Sequence, residues 1–279
     1  MVVPTIWRPR QLTACLESIT SGDLLPAEVV VVDQSGGSEI AAVVARFAWA
    51  GARVVPSGER GVARARNLGL RHAVHDVVLM TDDDCTVDRT WTGTAAKLMT
   101  PHAPLILTGQ VLAPRGDPRY VPSVKEEAAP HDYTGTQQCG VLYSGNMAMS
   151  RSAVLEIGAF DETLEAAEDN DLCYRWLSSG RALRFEPRLV VHHHDWRSSG
   201  EVRRLYLRYG RAQGEFYAKH LRMGDRRILT CLRWDLKHLG FALKARVRRR
   251  PVSADWRAGY FAGIPFGLLR GWRRYRPGP

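Results

Sequence analysis

One stretch restricts this chain more than any other: Val77, Val78, Leu79, Met80 and Thr81 form an apolar run of strand length that ends in Asp82, Asp83 and Asp84. Adjacent carboxylates repel one another, so a buried strand that emerges into three of them needs a cation or a bound polyol to offset the cost. The plainer alternative is an acidic turn solvated by water. A second run, Glu28 followed by four valines and Asp33, is β-branched throughout, the pattern of a strand buried on both faces. Around the two runs, short apolar stretches alternate with amphipathic ones. Helices are predicted over residues 10–19 (Leu12, Cys15, Leu16 and Ile19 on one face), 40–49 and 61–73, with a short strand over 53–55. This is the sequence form of an open α/β sheet, in which ligands bind beyond the carboxyl ends of the strands. Asp33 and the Asp82–Asp84 cluster stand at two such ends.

A phosphate-bearing ligand would have to be held without glycine loops. Neither a G-x-G-x-x-G turn between the first strand and helix nor a G-x-x-x-x-G-K-[ST] loop is present, which argues against a dinucleotide dehydrogenase and a P-loop NTPase. A divalent ion held by carboxylates is the usual alternative. With 45% apolar and 24% charged residues among 279, the chain reads as one large domain or one domain plus an appendage. No stretch reaches the roughly 18 uninterrupted apolar residues of a spanning helix, and the chain enters directly into Met1, Val2 and Val3 without a charged leader; a cytoplasmic protein is expected. Five scattered cysteines without C-x-x-C spacing suggest reduced thiols and no zinc site.

The net charge of +10 is concentrated at one end. From Arg226 to Pro279 there are fourteen Lys or Arg and two Asp, a balance of +12; the remainder has 25 basic and 27 acidic residues, or −2. Basic clusters at 244–250 and 270–274 bracket the apolar segment 258–269, which contains Tyr260, Phe261, Phe266, Leu268 and Leu269. That arrangement suits the surface of an anionic membrane. Two other readings are a basic helix packed on the main domain and, less favoured, a nucleic-acid patch.

A set of motifs in order carries a resemblance. Val2-Val3-Pro4-Thr5, Val31-Val32-Asp33, Ala65-Arg66-Asn67-Leu68-Gly69, Asp82-Asp83-Asp84, Gly158-Ala159-Phe160-Asp161-Glu162 and Glu168-Asp169-Asn170-Asp171-Leu172 together resemble the family 2 glycosyltransferases of GT-A fold, over about residues 2 to 195. Each motif alone is weak, and their ordered combination is strong. The resemblance implies an α/β, Rossmann-like, mixed and mainly parallel sheet flanked by helices, followed by a helical basic tail. It implies a GT-A domain over 1–200, with a nucleotide-sugar half to about residue 110 and an acceptor half beyond it, and the tail over 201–279.

It also implies roles. Thr5, Asp33 and Arg66 match positions that bind the nucleotide base, where a carboxylate accepts from a ring N–H and a guanidinium donates to a carbonyl. Asp82 would face the ribose and Asp84 would hold Mn2+ or Mg2+ on the diphosphate. Asp83 counts with the nucleotide-sugar set, although in an extended segment its side chain points away from its neighbours'. Asp33 as a helix cap and Arg66 as part of a solvated face are the structural alternatives. Gly145 and Asn146 lie in the strand predicted beside the sugar, glycine allowing close approach. Glu168 and Asp169 match the active-site pair, Asp169 as general base, with Asp171 as its rival; dipole compensation at the start of a helix over 166–177 is the bland reading. His192, His193 and His194 follow a strand. Alternation places His192 and His194 on one face, and one of these two is expected to complete the metal shell.

The activity so implied is inverting, metal-assisted transfer of a sugar from a nucleoside diphosphate donor, UDP or TDP favoured, to an acceptor hydroxyl. A lipid-linked acceptor fits a tail at the inner face of the membrane. Alternatives are a nucleotidyltransferase on a similar fold and a non-catalytic membrane or nucleic-acid adaptor.

Overall fold

The computed structural model describes residues 1–113, 124–135, 140–194, 199–247 and 254–276. In chain order its elements are β1 (Val2–Thr5), α1 (Pro9–Thr20), β2 (Val29–Asp33), α2 (Glu39–Ala45), β3 (Ala52–Pro56), α3 (Val62–His72), β4 (Val77–Thr81), β5 (Cys85–Val87) and α4 (Trp91–Leu98). There follow β6 (Leu105–Leu112), β7 (His131–Tyr133), β8 (Asn146–Ser150), α5 (Arg151–Glu156), α6 (Glu168–Ser178), β9 (Ala182–His193), α7 (Ser199–Arg222), α8 (Leu229–Val247) and α9 (Ala254–Arg274).

The strands form one mixed sheet in the order β3-β2-β1-β4-β8-β6-β9-β5, with β7 also on β9. β1, β2, β3 and β4 run parallel, and β8 reverses direction between β4 and β6. Fully buried β-branched strands need helices on both faces, and the continuous valine run of β2 is buried at every position. The predicted helix over 40–49 is shorter: α2 stops at Ala45, and a single 3-10 turn at Ala48–Ala50 leads to Gly51, whose φ of 75° turns the chain into β3. β8 begins at Asn146, so Tyr143 to Gly145 form the turn before the strand.

The chain divides into two compact units. The first comprises Met1–Thr134, Leu142–Glu162 and Arg175–Asp195, and contains the whole sheet. Its core is the apolar layer of Leu12, Leu16, Ile19, Val29, Val31, Leu79, Trp91 and Leu107. The second comprises Gly135–Val141, Thr163–Tyr174 and Trp196–Pro279. It therefore draws in two upstream segments besides the predicted tail, and the division falls inside α6.

In the second unit α7 and α9 pack backbone to backbone. Gly259, Gly263, Gly267 and Gly271 recur at four-residue spacing, which sets them on one face of α9, and Gly210 and Gly214 do the same on α7. A Cβ on Gly267 would collide with the carbonyl of Arg211, and one on Gly214 with that of Ile264. The apolar segment of the tail thus packs one side within its unit. Its other side carries Phe266, Leu269 and Trp272, each more than half exposed. The basic residues 248–250 lie outside the described residues, and no described helix is long and apolar enough to cross a membrane.

Candidate functional site

The parallel register brings Thr5 opposite Asp33 at the carboxyl ends of β1 and β2, with β4 on the other flank of β1. β4 ends at Thr81. The next three residues do not continue as a strand: the Cys85 N–H bonds the Asp82 carbonyl at 3.1 Å, closing a turn from which β5 starts. Because the segment turns, alternation does not govern it, and each carboxylate takes its own set of partners.

Asp82 accepts from Arg66 Nη2 at 2.8 Å and from the Tyr143 hydroxyl at 3.3 Å. Asp83, 1% exposed, accepts from Thr5 Oγ1 at 2.6 Å and pairs with Arg8 Nη1 at 3.1 Å. Asp84 Oδ2 pairs with the same Arg8 nitrogen at 2.7 Å, while its Oδ1 lies 3.5 Å from His193 Nε2. Burial pushes the Asp83 carboxyl up to about 7; Arg8 opposes the rise and Asp84 adds to it. For Arg8 the order reverses. Burial disfavours its charge, yet Asp83, Asp84 and Asp82 outweigh that cost and hold its pKa above the ordinary value.

The histidine expectation needs correction. His193, rather than His192 or His194, is the ring brought to Asp84. In the antiparallel pairing of β5 and β9, His193 stands opposite Cys85 and is buried, whereas His192 stands opposite Thr86 on the other face. His194 Nε2 lies 2.8 Å from Thr86 Oγ1, and its backbone N–H bonds the Asp84 carbonyl. Asp84, Cys85 and His193 are all buried and offer ligand atoms within 4.8 Å of one another. Burial and the neighbouring carboxylates Asp84 and Asp82 hold the Cys85 thiol well above its usual range. Asp84 and His193 offer a carboxylate oxygen and an imidazole nitrogen, donors that suit a divalent ion.

Asn146 also takes a different place. It is wholly buried, with its amide hydrogens donated to the Gln110 and Leu189 carbonyls (2.8 and 2.9 Å) and its oxygen accepting from Trp91 Nε1 at 2.8 Å. The side chain is spent on joining β6, β9 and α4, and the structure gives it no ligand-facing role. A Cβ on Gly145 would lie 2.6 Å from the Tyr143 ring and 2.7 Å from Asp82 Oδ2. Asp33 is buried and accepts from the Ser35 N–H at 2.8 Å, a local turn contact. Arg66 is buried on α3 beside Phe160, and Asn67 ties the same helix to the Gly158–Glu162 turn through the Phe160 backbone.

In the second unit, Glu168 and Asp169 open α6 directly after Ala167, a non-glycine residue at φ 62°. Such a conformation costs about 1–3 kcal/mol and persists where the surroundings enforce it. Glu168 is buried and Asp169 half-buried. Their rival Asp171 is 0% exposed, and its Oδ1 receives both Lys219 Nζ at 2.7 Å and His220 Nε2 at 2.8 Å. Asn170 donates to Gln213 at 2.7 Å. Asp171 is therefore a structural anchor to α7. The segment 196–199, which the family resemblance would make a mobile piece closing on the donor, falls outside the described residues apart from Ser199 at the start of α7.

Sequence reasoning missed Arg8, Tyr143, His193, Lys219 and His220 as site residues. A signal for Arg8 was available, since it follows Thr5 by three residues at the end of β1; none was available for Lys219 and His220, which lie 48 and 49 residues beyond Asp171.

Residues 1–158 match the family described as Glycosyl transferase family 2. Two proteins described as Pre-mycofactocin glycosyltransferase, from two strains of Mycobacterium tuberculosis, are 32% identical over 153 residues; the match takes in 49% of this chain and only 32% of theirs. Among solved structures, the mannosyltransferase PcManGT from Pyrobaculum calidifontis in complex with GDP-Man and Mn2+ is 18% identical, covers 97% of this chain and 85% of its own, and superimposes with a TM-score of 0.65. Staphylococcus aureus TarS 1-349 in complex with UDP-GlcNAc is 17% identical over 98% and 91% of the two chains, with a TM-score of 0.58. Identities this low speak for a common fold, and that fold is GT-A.

Proposed function

We propose, given that this chain belongs to glycosyl transferase family 2 and is a glycosyltransferase, that it moves a sugar from a nucleoside diphosphate donor to an acceptor hydroxyl with inversion at the anomeric carbon. The observation that carries this reading is the carboxylate cluster at the end of β4, with Thr5, Arg66, Tyr143 and His193 converging on it. Thr5, Asp33 and Arg66 hold the nucleotide, and a UDP or TDP sugar is favoured on the family resemblance. Asp82, Asp83 and Gly145 shape the donor cleft. Asp84 and His193 would hold the divalent ion, which would supply neutralisation of the leaving diphosphate.

Asp169 is the base that takes the acceptor's proton, by its match to the family position and because Asp171 is already committed to Lys219 and His220. Direct attack by the deprotonated oxygen on the anomeric carbon, opposite the departing diphosphate, inverts the centre in one displacement. Glu168, buried beside Asp169 in sequence, completes the pair.

The enzyme works in the cytoplasm at the inner face of the membrane, on a lipid-linked acceptor. Support comes from the +12 balance of 226–279 and from Phe266, Leu269 and Trp272, which recur every three residues on the exposed side of α9 with the exposed Arg273 beside them. The test is a screen of UDP-, TDP- and GDP-sugars with Mn2+, read as release of the free nucleoside diphosphate and as protection against thermal unfolding. Turnover in one sugar series that chelator abolishes supports the reading. Pyrophosphate formation or consumption would favour a nucleotidyltransferase, and neither turnover nor protection with any donor would sink the proposal.

A further inference from the structure

Arg8 sits where the acidic cluster would otherwise need a cation. One of its nitrogens bridges Asp83 and Asp84 at 3.1 and 2.7 Å, and Arg66 pairs with Asp82 at 2.8 Å. Three carboxylates are thus matched by two guanidiniums before any ion arrives. The placement of Arg8 is enforced locally: Trp7, just before it, adopts φ 49°, with its N–H bonded to Ser35 Oγ and its indole N–H to the Ser35 carbonyl. Left-handed backbone at a bulky residue is held only where the surroundings over-determine it.

We propose that Arg8 is a tethered cation that stands in for the divalent ion at Asp83 and Asp84 and yields its place when a nucleoside diphosphate binds, so that metal and nucleotide are taken up together. The inference rests on the metal site assigned above to Asp84 and His193. An ion held there would meet a carboxylate, Asp84, that is already paired with the Arg8 guanidinium, and like charges so close repel. A diphosphate relieves this in two ways. It adds negative charge to a cluster that is nearly balanced, and it offers the guanidinium the oxygen pair it binds in preference to a single carboxylate oxygen. With a quarter of its side chain exposed, Arg8 has a solvent side from which to make the exchange.

The experiment is calorimetric Mn2+ binding to the full chain, with and without UDP, after subtraction of Mn2+ binding to free UDP. Wild type, Arg8→Met, Arg8→Lys and Asp84→Asn are compared, each checked for a native melting transition. In wild type, UDP should tighten Mn2+ binding by about tenfold or more, within the ordinary range of coupling between sites. Arg8→Met should bind Mn2+ about tenfold tighter than wild type without UDP and lose most of the coupling, while Arg8→Lys, which keeps the charge but not the paired donors, keeps the weak Mn2+ binding without UDP and loses part of the coupling. Equal or weaker Mn2+ binding by a folded Arg8→Met overturns the inference and leaves the metal site standing; if Arg8→Met does not fold, absence of UDP coupling in wild type overturns it. Mn2+ binding that is absent even with UDP, or unaffected by Asp84→Asn, removes the metal site itself and the inference with it.

Discussion

Replacing Asp171 with alanine tests the division of labour between Asp169 and Asp171 in the first turn of α6. The residue is wholly buried, and its single oxygen Oδ1 receives Lys219 and His220, themselves 9% and 5% exposed. Removing it strips two charge-assisted hydrogen bonds, each worth about 1.5–3 kcal/mol. The larger consequence is that a buried ammonium loses its counter-charge, and breaking a buried pair from one side costs about 3–5 kcal/mol in total. Against a global stability of about 5–15 kcal/mol, that is enough to melt the second unit well before wild type. Asp171→Asn, which keeps the shape and one acceptor, should cost less. The assay is urea unfolding followed by far-ultraviolet circular dichroism, dominated by the long helices α7, α8 and α9, with donor binding measured in parallel. Donor affinity should persist in native buffer. If Asp171→Ala loses less than about 1 kcal/mol and still abolishes sugar transfer, the buried anchor is wrong and Asp171 is the reacting base.

Three further outcomes follow. Asp169→Asn preserves shape and removes the base, so transfer should fall by about a hundredfold or more with donor binding intact; an equal loss of donor affinity would move Asp169 to the nucleotide site or the fold. Burial works against the charge of Asp76, but hydrogen bonds from Ser152, His102 and Ser150 hold its carboxyl down to about 2. Its stabilising contribution is complete above the unfolded value of 3.8 and is lost as pH falls through about 2, so wild type should lose stability more steeply than Asp76→Asn in that window; parallel acid-unfolding curves would refute this. Sedimentation with anionic liposomes should be lost as salt rises and weakened in a Phe266→Ser, Leu269→Ser, Trp272→Ser variant, each basic residue at the surface contributing about 1 kcal/mol; binding that is absent, or indifferent to lipid charge, would reject the membrane face.

The strands and their acidic ends were legible because burial on both faces leaves an unbroken apolar signature: β2 and β4 match the runs at 29–33 and 77–81. Helix ends were less so. The helix over 40–49 stops early because a left-handed Gly51 ends the segment, a tertiary choice that periodicity does not encode. The histidine assignment failed for a related reason. Alternation along β9 was read correctly, but which face meets Asp84 depends on the turn from Asp82 to Cys85, which sets the register of β5 against His193. Asn146 looked like a ligand contact because an asparagine after Gly145 resembles one; its amide is used up by Trp91, Gln110 and Leu189, from three distant parts of the chain. Lys219 acquires meaning only once Asp171, the carboxylate it neutralises, has been placed.

The fate of Asp169 and Asp171 has a geometric cause that sequence spacing already contains. Successive residues of an α-helix are rotated by about 100°, so two residues two apart leave the axis about 200° from one another and cannot share a face. Tyr174, buried in its own unit's core and three positions beyond Asp171, marks the side of α6 on which Asp171 lies, where an unpaired carboxylate could not survive. Lys219 and His220 answer that need. Asp169 is turned away from the same side and stays half-buried, which is what a carboxylate must be if it is to exchange a proton with an acceptor rather than with the protein. Of two acids two positions apart, the fully buried one is held by an ion pair.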